Sequence, residues 1–127
     1  MVLWEQKMYA QKISKAVTSA LVYLEDAIDS RAELSEVKML VWKAASDLEY
    51  GLFLFSLIDP ESKHAAWKLS TSKRIEVEYL LASTRRLLQE ALENLEADDF
   101  KEAYKKTWLA RGQLFNIHDF YEKNRRK

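Results

Sequence analysis

Two residues near the C-terminus combine a proton-carrying group with a phosphate-holding one. Arg111 and His118 stand seven positions apart. Seven residues of α-helix turn about 700°, so the two share a face to within roughly 20° and lie about 10 Å apart along the axis. Tyr104 and Thr107 fall on the same face further back, and Leu114 lies between the pair. Histidine relays protons near neutral pH, and an arginine fork can hold a phosphate and stabilise charge that develops on it. Together they suffice for metal-independent transesterification of an RNA phosphodiester, in which the neighbouring 2′-hydroxyl attacks. A structural account uses the same positions: Arg111 snorkels over the core edge to an acid such as Glu93 or Glu96, and His118 is a satisfied, partly buried residue beside Phe120 and Tyr121.

The run Arg111-Gly112-Gln113-Leu114-Phe115-Asn116-Ile117-His118 resembles the HEPN superfamily. These are small four-helix domains whose ribonuclease members carry an arginine, four to six intervening residues and a histidine on the last long helix. The resemblance implies Arg111 and His118 as the catalytic pair. It also implies a homodimer that places two copies of the pair around a cleft for single-stranded RNA. Active members usually have a polar residue directly after the arginine, and Gly112 departs from that pattern. Many members are inactive and bind a protein partner instead, such as a small nucleotidyltransferase.

Other chemistries are absent from the sequence. There is no cysteine, which excludes disulfides, thiolate catalysis and cysteine-ligated metal sites. A di-iron bundle needs carboxylates on four helices and Glu-x-x-His pairs on two of them. The only histidines are His64 and His118. Glu61 precedes His64 by three residues but follows Pro60 at the mouth of a short segment, and Phe115 occupies the equivalent place before His118. No metal or other cofactor is therefore expected, and no glycine-rich phosphate loop is present.

The elements that must position these residues follow from composition. In 127 residues there are 2 Gly and 1 Pro, too few turn-formers for a fold of many short strands. An apolar share of 48% beside 31% charged residues supports one compact helical domain, residues 1–127. Apolar residues recur at helical spacing in four long segments. The first, about Val2 to Asp29, presents Ile13, Val17, Ala20, Leu21, Leu24, Ala27 and Ile28. The second, about Arg31 to Ile58, presents Leu34, Val37, Val41, Ala44, Leu48, Leu52 and Phe55, with Gly51 as an interruption. The third, capped by Ser72 and ending near Glu96, presents Ile75, Leu80, Leu81, Thr84, Leu88, Ala91, Leu92 and Leu95. The fourth starts after Asp98-Asp99, either of which can cap it, and presents Phe100, Ala103, Tyr104, Thr107, Trp108, Leu114 and Phe115. Ser30 with Glu33 forms a capping-box pattern before the second segment. Glu61 to Leu69 reads as one extra short helix. The expected fold is all-α: an antiparallel up-down four-helix bundle with a short helix before the third long one.

Charge and surface composition bound the partners. Twenty basic residues balance twenty acidic ones, so nothing draws the whole chain to nucleic acid or anionic lipid. No apolar run approaches a membrane span. The N-terminal MVLWEQKMYAQK lacks the features of a secretory signal, and with the absence of cysteine this predicts a cytoplasmic protein. The last stretch, Lys101 to Lys127, holds eight basic residues against three acidic ones. Lys105, Lys106, Arg125 and Arg126 are its candidates for nucleic-acid contact. Tyr9, Tyr23, Trp42, Leu54 and Leu57 fall off the main stripes, which leaves apolar surface on two sides of some helices and predicts a homodimer or a protein partner. Three functions are therefore open: a non-enzymatic module for homo-oligomerisation and partner binding, a HEPN-like endoribonuclease of toxin type, and a nucleic-acid-binding bundle without chemistry.

Overall fold

A computed structural model of the chain describes residues 2–29, 34–62, 67 and 76–125. Four long helices account for nearly all of them: α1 Leu3–Asp29, α2 Leu34–Ile58, α3 Val77–Glu96 and α4 Phe100–Arg125. The bundle expected from the apolar spacing is the observed architecture. The Ser30–Glu33 box, the Ser72 cap and His64 lie outside the described residues, as does most of the anticipated short helix. Of that segment, Glu61 lies in a turn, and Ser62 and Trp67 are not helical.

α1, α2 and α3 bury most of the face that their spacing predicts. In α1 the buried line is Ile13, Ala16, Val17, Ala20, Leu24 and Ala27. In α2 it runs through Val37, Val41, Ala44, Leu48, Leu52 and Phe55, and in α3 through Leu81, Thr84, Leu88, Ala91 and Leu95. α4 requires a correction. Ala103, Thr107, Ala110, Leu114, Ile117 and Tyr121 form its inner line, in alternating steps of four and three, while Phe115 is exposed. Phe115 follows Leu114 and is therefore turned about 100° away from the core. Leu54 also differs from expectation: it is 4% exposed and belongs to the core.

Two threonines are completely buried, and both are satisfied within their own helix. Thr107 donates to the carbonyl of Ala103 at 2.8 Å. Thr84 Oγ1 lies 2.7 Å from Leu80 O and 2.8 Å from the side-chain amide of Gln113. The single hydroxyl proton is shared between two acceptors, Leu80 O and Gln113 Oε1. This ties α3 to α4 across the interior.

The turn between α3 and α4 is built from two acids. Asp98 takes φ 58°, the left-handed conformation that ends many helices. The Asp99 amide then donates to Asn94 O at 2.8 Å and the Asp98 amide to Leu95 O at 3.2 Å, closing the last carbonyls of α3. Asp99 caps α4 by accepting from the Glu102 amide at 3.3 Å. Asp98 thus ends one helix and Asp99 begins the next.

The order of helices around the axis is α1, α2, α4, α3, with the α1·α4 and α2·α3 pairs across the diagonals. Ala27 of α1, Val37 of α2, Val77 of α3 and Tyr121 of α4 meet at one end. Ala10 and Ser14 of α1 lie beside Leu92 and Leu95 of α3 towards the other. Every neighbouring pair is therefore antiparallel, and α2 runs parallel to α3 across the diagonal. The connection 59–76 joins opposite ends of the bundle, and its Trp67 packs edge-on against Tyr104 and Trp108 of α4.

Candidate functional site on the α2–α4 face

The seam between α2 and α4 collects the residues whose chemistry stood out. Arg111 follows the buried Ala110, and His118 follows the buried Ile117. One residue of helix rotates each of them about 100° from the core line, onto the flank that meets α2. Arg111 Nη1 donates to Glu49 Oε1 at 2.6 Å. Its guanidinium also sits 5.4 Å from the Phe115 ring centroid, a cation–π distance. The His118 ring lies 5.4 Å from Trp42, tilted by 42°. One turn further on, Lys38 pairs with Glu122. At the opposite end of the seam Tyr104 stacks on Phe55, with centroids 5.0 Å apart and rings 6° from parallel.

These contacts share one antiparallel register along two helices. Arg111 and His118 keep the common face that their spacing requires, and each touches a different residue of α2. The arginine's carboxylate partner is Glu49 on α2, rather than Glu93 or Glu96 on α3. Sequence spacing could not select Glu49, because that contact depends on which helix lies next to α4.

Tyr104 is held above its ordinary pKa. Burial raises its pKa above 10.0, the charge of Asp59 raises it further, and Arg111 acts in the opposite direction. Tyr121, at the other end of α4, is raised by burial and then by Glu78. Both phenols are held in the neutral form. Among the described residues, no group of three or more His, Asp or Glu side chains could hold a metal ion.

The basic candidates do not converge. Lys105 and Lys106 are half-buried, and Lys106 lies 3.9 Å from Glu90. Arg125 ends α4, roughly 28 Å away along the helix, and Arg126 lies outside the described residues. The aromatic and aliphatic candidates separate in a different way. Tyr9 and Tyr23 are half-buried against the core, and Lys43 lies 5.6 Å from the Tyr23 ring centroid. Leu54 is internal, whereas Trp42 is 51% exposed and Leu57 is 38% exposed.

Trp42 and Leu57 belong to a larger feature that the sequence reading only partly resolved. Met39, Trp42, Tyr50, Phe53 and Leu57 are all exposed on α2. At 100° per residue they lie within roughly 80° of one another, opposite the buried Val41–Leu48–Phe55 line. Ser46 continues the stripe between Trp42 and Tyr50. α2 is thus apolar on two opposite faces along most of its length. The 3–4 spacing of Met39, Trp42, Ser46, Tyr50, Phe53 and Leu57 carries that signal, but it can be separated from the core stripe only once the inner face is known.

No helix among the described residues is long and apolar enough to cross a membrane. Comparison of the chain with protein-family models, with curated proteins and with solved structures found no match.

Proposed function

We propose that this protein is a non-enzymatic helical-bundle module whose work is association, and that the outer face of α2 is its contact surface. The observation that carries this reading is the stripe Met39–Trp42–Tyr50–Phe53–Leu57 on the side of α2 away from the core, interrupted only by Ser46. Isolated exposed apolar residues are ordinary, but a continuous patch of several large ones marks an interaction site. These five, with Phe115 of α4, are between 36% and 58% exposed. At roughly 200 Å² per side chain they offer on the order of 600 Å² per protomer. Two such patches reach the lower range of stable protein interfaces, about 1,200 Å² in total.

The seam supports the same reading. Arg111 is engaged with Glu49 and His118 lies against Trp42, so both act in holding α4 to α2. Neither contact favours RNA cleavage, and the separated lysines and arginines do not favour a nucleic-acid groove. The test is the oligomeric state. Sedimentation equilibrium of the wild-type chain is expected to give a dimer, and Phe53→Glu to give a monomer with unchanged helical circular dichroism. A wild-type chain that stays monomeric at millimolar-range NMR concentrations, with no partner that protects α2 from hydrogen exchange, sinks the reading.

A further inference from the structure

The outer stripe of α2 also carries information about how two copies meet. Its positions, Met39, Trp42, Ser46, Tyr50, Phe53 and Leu57, are spaced almost symmetrically about residue 48. An antiparallel second copy therefore sets Met39 level with Leu57 of the other chain, Trp42 with Phe53 to within one residue, and Ser46 with Tyr50. We infer that the occupant of this face is a second copy of this chain, paired α2 against α2 in antiparallel orientation about a two-fold axis near Leu48. The inference rests on the reading of α2 as the contact surface and adds the partner and the register.

Side-chain volume favours this orientation. In the antiparallel pairing the one small residue of the stripe, Ser46, faces the large Tyr50 on both sides of the axis. A parallel pairing sets Ser46 against Ser46 and Tyr50 against Tyr50, which leaves a gap beside a crowded layer. Close packing favours small against large. The hydroxyl of Ser46 raises no obstacle. The Ser46 hydroxyl donates to Trp42 O at 3.0 Å, so its burial leaves no donor unsatisfied. Three of the charges beside the stripe are already engaged within the protomer: Lys38 with Glu122, Glu49 with Arg111, and Lys43 near the Tyr23 ring. Helix dipoles are also better placed head to tail.

The absence of native cysteine allows a clean test. Met39→Cys, Leu57→Cys and the double variant are each treated with a short bis-maleimide, and their association is checked by sedimentation beforehand. Positions 39 and 57 are roughly 27 Å apart on one helix, so a short linker cannot join them within a chain. The expected result is a covalent dimer from the double variant and none from either single variant. Trp42→Cys with Phe53→Cys serves as a second pair should the first disturb association. Efficient linkage of Met39→Cys to itself means parallel pairing: the register is then wrong while α2 remains the contact surface. A dimer by sedimentation that neither pair links uses another face, which overturns both. A monomeric wild-type chain overturns the reading on which the register rests.

Discussion

Asp98 occupies a backbone conformation that most L-residues avoid, at φ 58°. Aspartate tolerates it better than most, but glycine tolerates it without a Cβ penalty of about 1 kcal/mol. Asp98→Gly is therefore expected to raise stability by up to about 1 kcal/mol, read from the urea midpoint. A midpoint that falls would show that the aspartate side chain contributes more than its backbone strain removes. Tyr104 gives a second prediction at this scale. Burial, then Asp59, hold its folded-state pKa above 10.0. The unfolded chain therefore loses the phenolic proton first as pH rises. The stabilising effect of the neutral phenol is complete below about pH 10 and is lost as pH climbs through the folded pKa. Urea midpoints measured from about pH 8 to about pH 11 should fall less steeply for Tyr104→Phe than for wild type, and coincident profiles would exclude the assignment.

α2 is the element that departs most from a simple amphipathic helix. Its inner face packs on α1 and α4, and its outer face repeats the apolar pattern. Gly51 sits on the inner side, and a Cβ built there would meet only the Ala16 Cβ, at the ordinary distance of 3.8 Å. The close approach of α1 to α2 therefore does not require glycine, whose flexibility costs the helix about 1 kcal/mol relative to alanine. Gly51→Ala should stabilise the protein by roughly 0.5–1 kcal/mol in thermal or urea unfolding. Destabilisation would mean that the two helices approach more closely than 3.8 Å allows. For α4, the apolar content identified a helix but misplaced Phe115, which lies one residue and about 100° beyond the inner Leu114. Ile117 and Tyr121 extend the inner steps through Ala110 and Leu114.

For the whole molecule, the contact proposed on α2 is apolar and its flanking ion pairs close within the protomer. Screening should therefore change the dimer dissociation constant little. Sedimentation at about 0.05 M and about 0.5 M salt checks this in the same experiment as Phe53→Glu. A strong loss of association at high salt would point instead to a charged interface. Leu54 and Leu57 show how narrowly core and contact surface are divided on one helix. Three residues turn about 300°, which takes Leu54 into the bundle at 4% exposure and leaves Leu57 outside at 38%.

Four helices, their limits to within a few residues and most of their inner faces were legible in the residues alone, since helical periodicity and the shortage of Gly and Pro are local properties. The common face of Arg111 and His118 was equally local, a consequence of 100° per residue. What those residues touch was not. The contacts of Arg111 with Glu49 and of His118 with Trp42 follow from the order α1, α2, α4, α3 around the axis, which sets α2 beside α4 and across from α3. Spacing along a chain fixes which side chains share a face. Only packing fixes what that face meets, because the burial that selects a neighbour is summed over the whole bundle rather than over any one helix.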